Sequence, residues 1–315
     1  MIEQAWNEYR GWAKRSGSLQ AKTGRGNFAA LVAVIIAALA GAAASYPGAS
    51  EAISRAFACA AVVASGLAVY FAREILAVGV ESGWIRARAT AEATKSECFR
   101  FAAGVGDYAA PDAAAIDAFI RRRQAIAAAA VSASLTPEDD PAGAKGDPRR
   151  PSRPMTADWY LKNRLDDQIV GFYRRRAGEN ERACGWLQMI SFAAGAISVA
   201  FGAAAAFYPE RFAEGIAALT TIAAAVTAYG LIDRRKYLAA SYAAMATTLE
   251  RMKERYAAGG ISLQALVAAA EDLMESEHAA WIDQMTKTIR PAPPPPPSAG
   301  ASRGAPQSAA DSQGR

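Results

Sequence analysis

The chain has 315 residues, 52% of them hydrophobic and 21% charged, with a formal net charge of +5 and a pI of about 9.1. That length fits two domains of ordinary size. A single histidine, His278, and three cysteines without CxxC spacing, Cys59, Cys98 and Cys184, argue against a His-rich metal site, a histidine-based triad within this chain and a disulfide framework.

The mean hydropathy of +0.02 averages over strong segregation, because uncharged stretches alternate with stretches dense in Arg, Lys, Glu and Asp. A basic chain can meet nucleic acid or an anionic membrane surface. The segregation favours the membrane and gives no reason to expect nucleic acid. In its plainest reading the positive charge orients membrane helices.

In chain order, the first apolar run is uncharged from Gly26 to Ser50 and predicts a span over about 28–46, with Leu31 to Ile36 at its heart. Ala42-Ala43-Ala44 resembles a signal-peptide cleavage site, but the segment before it and the apolar stretch are both too long, and a second span follows. The second run lies between Arg55 and Arg73 and predicts a span over about 54–72. The third lies between Arg182 and Glu210 (about 184–208), and the fourth between Glu214 and Asp233 (about 215–232). Each approaches or exceeds the roughly 20 apolar residues that cross a bilayer. None of the four runs contains Asp, Glu, Lys, Arg or His, which transporters and proton pumps keep in their spans.

After the second run, Trp84, Arg88, Glu92 and Lys95 share one helical face on which Arg88 and Glu92 can pair. The face reads as a solvated or interhelical salt-bridge surface, or as a docking surface for a nucleotide or a partner protein. Residues 136–154 have the composition of a disordered linker between a first unit, 1–135, and a second, 155–290. In the second unit Tyr160, Arg164, Gln168 and Phe172 stand four apart, open to the same two readings. Glu271, Glu275, His278 and Trp281 share a late helix, where one histidine is too few to argue for a metal. Residues 291–315, with Pro293 to Pro297, form a proline-rich tail of disordered composition.

Both hairpin turns carry Tyr-Pro, at Tyr46-Pro47 and Tyr208-Pro209, and Trp6 and Arg10 repeat the spacing of Tyr160 and Arg164. The simplest account is two copies of one unit: cytoplasmic helix, hairpin, cytoplasmic helix. All but two of the 35 Lys and Arg, Arg55 and Arg211, lie outside the hairpin turns, so the positive-inside rule places both termini and the linker in the cytoplasm. Small residues recur at four-residue spacing in the spans: Ala33, Ala37, Gly41 and Ser45; Ala60, Ala64, Ala68 and Ala72; Ala194, Ser198, Gly202 and Ala206; Thr220, Ala224 and Ala228. Such ladders let helix backbones approach closely, within one chain or in a homo-oligomer. The expected fold is all-α, an integral membrane helical protein. No P-loop, GxGxxG or GxSxG occurs, and the sequence gives no reason to expect an enzyme or a cofactor.

The chain resembles the SLATT family, the SMODS and SLOG-associating two-transmembrane effector domains, in two tandem copies. The resemblance rests on the hairpin flanked by cytoplasmic helices; on Trp84, Arg88, Ala91-Glu92, Lys95 and Tyr108 after the first hairpin; and on Tyr160, Arg164-Leu165, Gln168 and Tyr173 before the second, with late Glu277 and Trp281. It implies a bacterial inner-membrane effector in conflict or antiphage systems, forming a pore or perturbing the bilayer when a nucleotide-signalling partner triggers it. No nucleotide synthetase or sensor is fused in this sequence, so the trigger is expected in trans. A membrane-anchored scaffold that recruits a cytoplasmic partner without conduction is the alternative.

Overall fold

A computed structural model describes residues 1–76, 78–110, 112–131, 135–139, 146–232 and 235–289. The proline-rich tail, the middle of the linker and the side chain of Ala228 lie outside the described residues. Among the described residues there is no strand.

Helix α1 runs without a break from Ile2 to Ala44 and ends just before Tyr46-Pro47, where proline disfavours helical backbone in the residue before it. Its 43 residues amount to about 65 Å at 1.5 Å per residue, enough to cross the bilayer and extend as far again below it. Helix α2 (Glu51–Leu76) returns, and α3 (Val78–Ala103) and α4 (Asp112–Val131) complete the first unit. Helix α5 spans Ala157–Ala205 and is capped by the Thr156 hydroxyl, which accepts from the Trp159 amide. Helices α6 (Pro209–Ile232), α7 (Arg235–Ala257) and α8 (Leu263–Ile289) follow; α6 opens on the proline that the first turn of a helix tolerates.

Among the described residues three helices, α1, α2 and α5, are long and apolar enough to cross a membrane; α6 contributes a shorter apolar stretch, Gly215–Val226. The apolar helices stand in a row, α2 beside α1, α1 beside α6, α6 beside α5. Among the described residues α2 and α5 make no comparable contact with each other, so the row is open. Val62, Val69, Phe192 and Val199 are among the large apolar side chains that face outward from it.

The small-residue ladders divide across this row. Ala33, Ala64 and Ala194 are buried between helices, and Ala37, Gly41, Ala68, Ala72 and Ser198 are partly covered. Ser45, Ala60, Gly202, Ala206, Thr220 and Ala224 are exposed. A step of four residues advances about 40° beyond a full turn, so a ladder of four members rotates off any single contact line. The close approach in the second hairpin falls instead at Gly215, where a Cβ would lie 2.7 Å from the Phe201 ring.

Below the row, both units share one apolar core. Trp6 of α1, Phe99 and Phe101 of α3, Phe119 of α4, Tyr160, Leu165 and Ile169 of α5, Leu249 of α7 and Leu266 and Val267 of α8 form a single cluster. The two copies are joined side by side, not strung as separate globules. The described ends of the linker are ordered against the first unit, where composition predicts disorder. The Glu138 amide donates to the Gly11 carbonyl at 3.2 Å, and the Arg153 guanidinium donates to that of Phe101 at 2.9 Å. Charged side chains bind residues that hydropathy reads only as soluble: Lys14 donates to the Asp139 carbonyl, and Arg15 and Ser18 donate to the Glu138 carboxylate.

Candidate functional site

Between Leu161 and Arg174, α5 winds as a π-helix. Its buried positions, Arg164, Leu165, Gln168, Ile169 and Tyr173, recur roughly every four to five residues, wider than the α repeat and matching i→i+5 closure. This winding keeps Tyr160, Arg164, Gln168 and Tyr173 on one inward face and leaves Phe172 beside it, partly buried.

Arg164 and Glu271 form the centre. The guanidinium donates from Nε at 2.9 Å and from Nη2 at 2.7 Å to the two oxygens of Glu271, and the Tyr160 hydroxyl donates to the same carboxylate at 3.1 Å. The side chains are 2% and 0% exposed. Phe99 lies under the guanidinium, 4.6 Å from its carbon. Burial opposes the charge of Arg164, but the Glu271 carboxylate outweighs it and holds the guanidinium protonated. Burial, and then the neighbouring carboxylate, push the Tyr160 hydroxyl upward. Arg164 Nη1 has no partner.

The first unit repeats this clamp with a different carboxylate. Trp6 donates from its indole nitrogen at 3.2 Å and Arg10 from Nη1 at 3.4 Å to one oxygen of Asp147, which belongs to the linker. The spacing shared by Trp6/Arg10 and Tyr160/Arg164 thus corresponds to a shared geometry: an aromatic donor and an arginine one turn on, closing on one acid. Burial would raise the Asp147 pKa, but the Arg149 amide, the Trp6 indole and the Arg149 side chain outweigh it and hold it below the usual carboxylate range. A depressed folded value means that this stability is present above the unfolded Asp value near 3.9 and is lost as pH falls through the folded one. We expect Asp147→Asn to lower stability by about 1–2 kcal/mol near neutral pH. The gap between parent and variant should narrow as melting is followed to acid pH below the unfolded Asp value near 3.9; a gap independent of pH would refute the assignment.

The face predicted on α3 is turned inward. Trp84 meets Trp281 with ring centroids 5.0 Å apart. Arg88 lies over Trp281 at 4.8 Å and over Phe172 at 5.4 Å. The Lys95 ammonium lies over Tyr9 at 5.3 Å. Burial would raise the Glu92 pKa; Lys95, Arg164 and Arg88 together lower it further. His278 stacks on Trp281, and burial, then Arg88, depress its imidazole to about 4, so it is neutral at physiological pH.

These residues surround a cavity of about 500 Å³ at the junction of the units, with Glu92, Lys95, Arg164, Gln168, Tyr173 and Glu271 in its walls. Of the residues singled out in the sequence, Glu92 and Lys95 from one copy and Arg164, Gln168, Phe172 and Tyr173 from the other line it. Trp84, Arg88 and Tyr160 support it from behind. Glu271, Asp147, Phe99 and Tyr9 complete the arrangement and were not predicted for the interaction face. No group of metal-ligating side chains occurs among the described residues. Cys98 is no candidate nucleophile, because burial pushes its thiol up to about 12.

Residues 160–281 match the family model described as SMODS and SLOG-associating 2TM effector domain 1, and residues 5–115 match one described as a protein of unknown function, DUF4231. Each match covers one hairpin with further helices on both sides, consistent with tandem copies. No curated protein and no solved structure matches the chain.

Proposed function

Because residues 160–281 belong to the SMODS and SLOG-associating 2TM effector domain family, we propose that this chain is a membrane effector of a bacterial conflict system, which breaches the bilayer as a homo-oligomer when a nucleotide-signalling partner acts on it in trans. The observation that carries the breach is the open row of apolar helices, outward-facing along its length and continuous through α1 and α5 with the cytoplasmic core. An open row in one chain leaves helix faces for other copies to close. The same openness favours a second reading: the row is only an anchor, and the cytoplasmic core recruits a partner without conduction.

Leakage separates the two. Purified protein in liposomes should release a trapped dye once activated, and expression in cells should collapse the membrane potential. Intact vesicles with every nucleotide and partner tested would leave the scaffold. Orientation is tested separately. Reporter fusions after Gly48 and after Glu210 should read as external, and fusions in the linker or at either terminus as cytoplasmic, because Lys and Arg crowd those segments. A cytoplasmic signal at either turn would remove the four-span arrangement.

A further inference from the structure

Arginines at one end of the apolar runs are matched by aromatic side chains one turn further in. Arg25 precedes Phe28 on α1, Arg73 follows Tyr70 on α2, and Arg182 precedes Trp186 on α5. Residues three or four apart share a helix face, so each arginine and its aromatic look the same way. The three rings are 61%, 59% and 64% exposed, and the arginines are exposed as well. The Lys22–Glu74 ion pair, 3.8 Å long, joins α1 to α2 and brings Arg25 and Arg73 to one level. Among the described residues Arg25 and Arg73 have no ion-pair partner, and Arg182 gives its Nε to the Gly178 carbonyl of its own helix at 3.2 Å and meets no acid. Of the described acids close by, Glu74 is held by Lys22 and Glu179 by Arg176, which leaves Glu181 against the three arginines. The opposite rim differs. Tyr46, Phe207 and Tyr208 are exposed there, but Arg55 is tied to Glu51.

We infer that these three arginine–aromatic pairs hold anionic phospholipids, so that the chain selects lipids with a net negative headgroup along this rim. The phosphodiester meets the arginine fork, where charge-assisted hydrogen bonds form. The ring sits at the depth of the glycerol and ester groups, the interfacial level where aromatic side chains are enriched. The acyl chains continue along apolar side chains deeper in the same helices, Val69 and Val62 on α2 and Phe192 and Val199 on α5, which face outward. A zwitterionic headgroup also offers a phosphate, but the uncompensated arginines repel its ammonium. The preference therefore comes from net charge. Lipid selection is independent of whether the assembled chain conducts.

The test is energy transfer from the tryptophans of the whole chain, reconstituted in phosphatidylcholine vesicles, to a small fraction of acyl-labelled dansyl phosphatidylglycerol or dansyl phosphatidylcholine. The labelled phosphatidylglycerol should be enriched at the protein at least about fivefold over the labelled phosphatidylcholine. The enrichment should fall as NaCl is raised from about 0.1 to about 1 M. Arg25→Gln, Arg73→Gln and Arg182→Gln together should remove it, and lysine at the same three positions should keep it. Arg55→Gln, at the opposite rim, should leave it unchanged. Excess inorganic phosphate at matched ionic strength should not displace the lipid, because the acyl chains and the rings hold it as well. Four results would overturn the proposal: equal transfer to both lipids in the parent, enrichment that survives the three glutamines, enrichment independent of salt, or displacement by phosphate. The salt series uses the parent alone, so it decides even where a variant fails to fold. Enrichment is read whether or not the vesicles leak, so a chain that selects anionic lipid but never leaks keeps this surface and loses the pore.

Discussion

Glu271→Ala is expected to destabilise the shared helical core by about 3–5 kcal/mol, because it strands the buried charge of Arg164 and leaves the Tyr160 hydroxyl without its acceptor. On a core of this size that corresponds to a melting point lower by about 10 °C or more. Arg164→Met should have an effect of the same order, since it strands the carboxylate instead. Removing both charges at once, as Arg164→Met with Glu271→Leu, should recover most of the loss, because an apolar pair of similar bulk avoids the desolvation that the ion pair must offset. The measurement is thermal unfolding of the detergent-solubilised chain followed by circular dichroism. A double variant that melts as low as the worse single one would show that the pair is not the coupled unit described here. A single variant that melts with the parent would show that the acid is hydrated.

Gly215→Leu should be the most damaging of the glycine substitutions in the membrane helices. A Cβ at that position meets the Phe201 ring at 2.7 and 2.8 Å, so the larger side chain must part α5 from α6. Overpacking of this kind is unfavourable by about 1–3 kcal/mol. Gly41 and Gly202 differ, since a Cβ at either has no neighbour within 4 Å in the chain. Gly41→Leu and Gly202→Leu should therefore keep the melting point of the parent. If copies assemble through those faces, the two variants will insert and fold but lose leakage, because close helix approach depends on small side chains. Melting separates the in-chain contact from the between-chain one. Leakage equal to the parent in both outward variants would place the assembly contact elsewhere.

The all-α membrane class was legible because it rests on long uncharged runs, and composition reports those directly. The site was legible in part, for a reason visible in Glu271. It lies four residues after Val267 and three before Met274, on the apolar face of α8, where an acid must have a buried partner. Periodicity thus announces that Glu271 is paired, but only the fold says that the partner is Arg164, 107 residues away. Arg88 and Glu92 illustrate the converse. Their spacing permits a pair along one helix, and the core instead offers Arg88 two aromatic rings from the other unit, a contact no local pattern contains. Within the chain only some ladder members meet a neighbour, because a four-residue step drifts around the helix. The linker misled because charge and proline are the signature of disorder, yet Glu138 and Asp147 find cationic partners on α1.

The unbroken course of α1 has a mechanical side. A rod of about 65 Å that pierces the bilayer near its middle is a lever whose fulcrum is the membrane surface. With arms of similar length, tilting the N-terminal end by an ångström swings the far end about as much the opposite way. No joint lies between them to absorb the movement. Whatever shifts Trp6 and Arg10 against the acid that holds them therefore acts, undiminished, on the turn at Tyr46 across the bilayer.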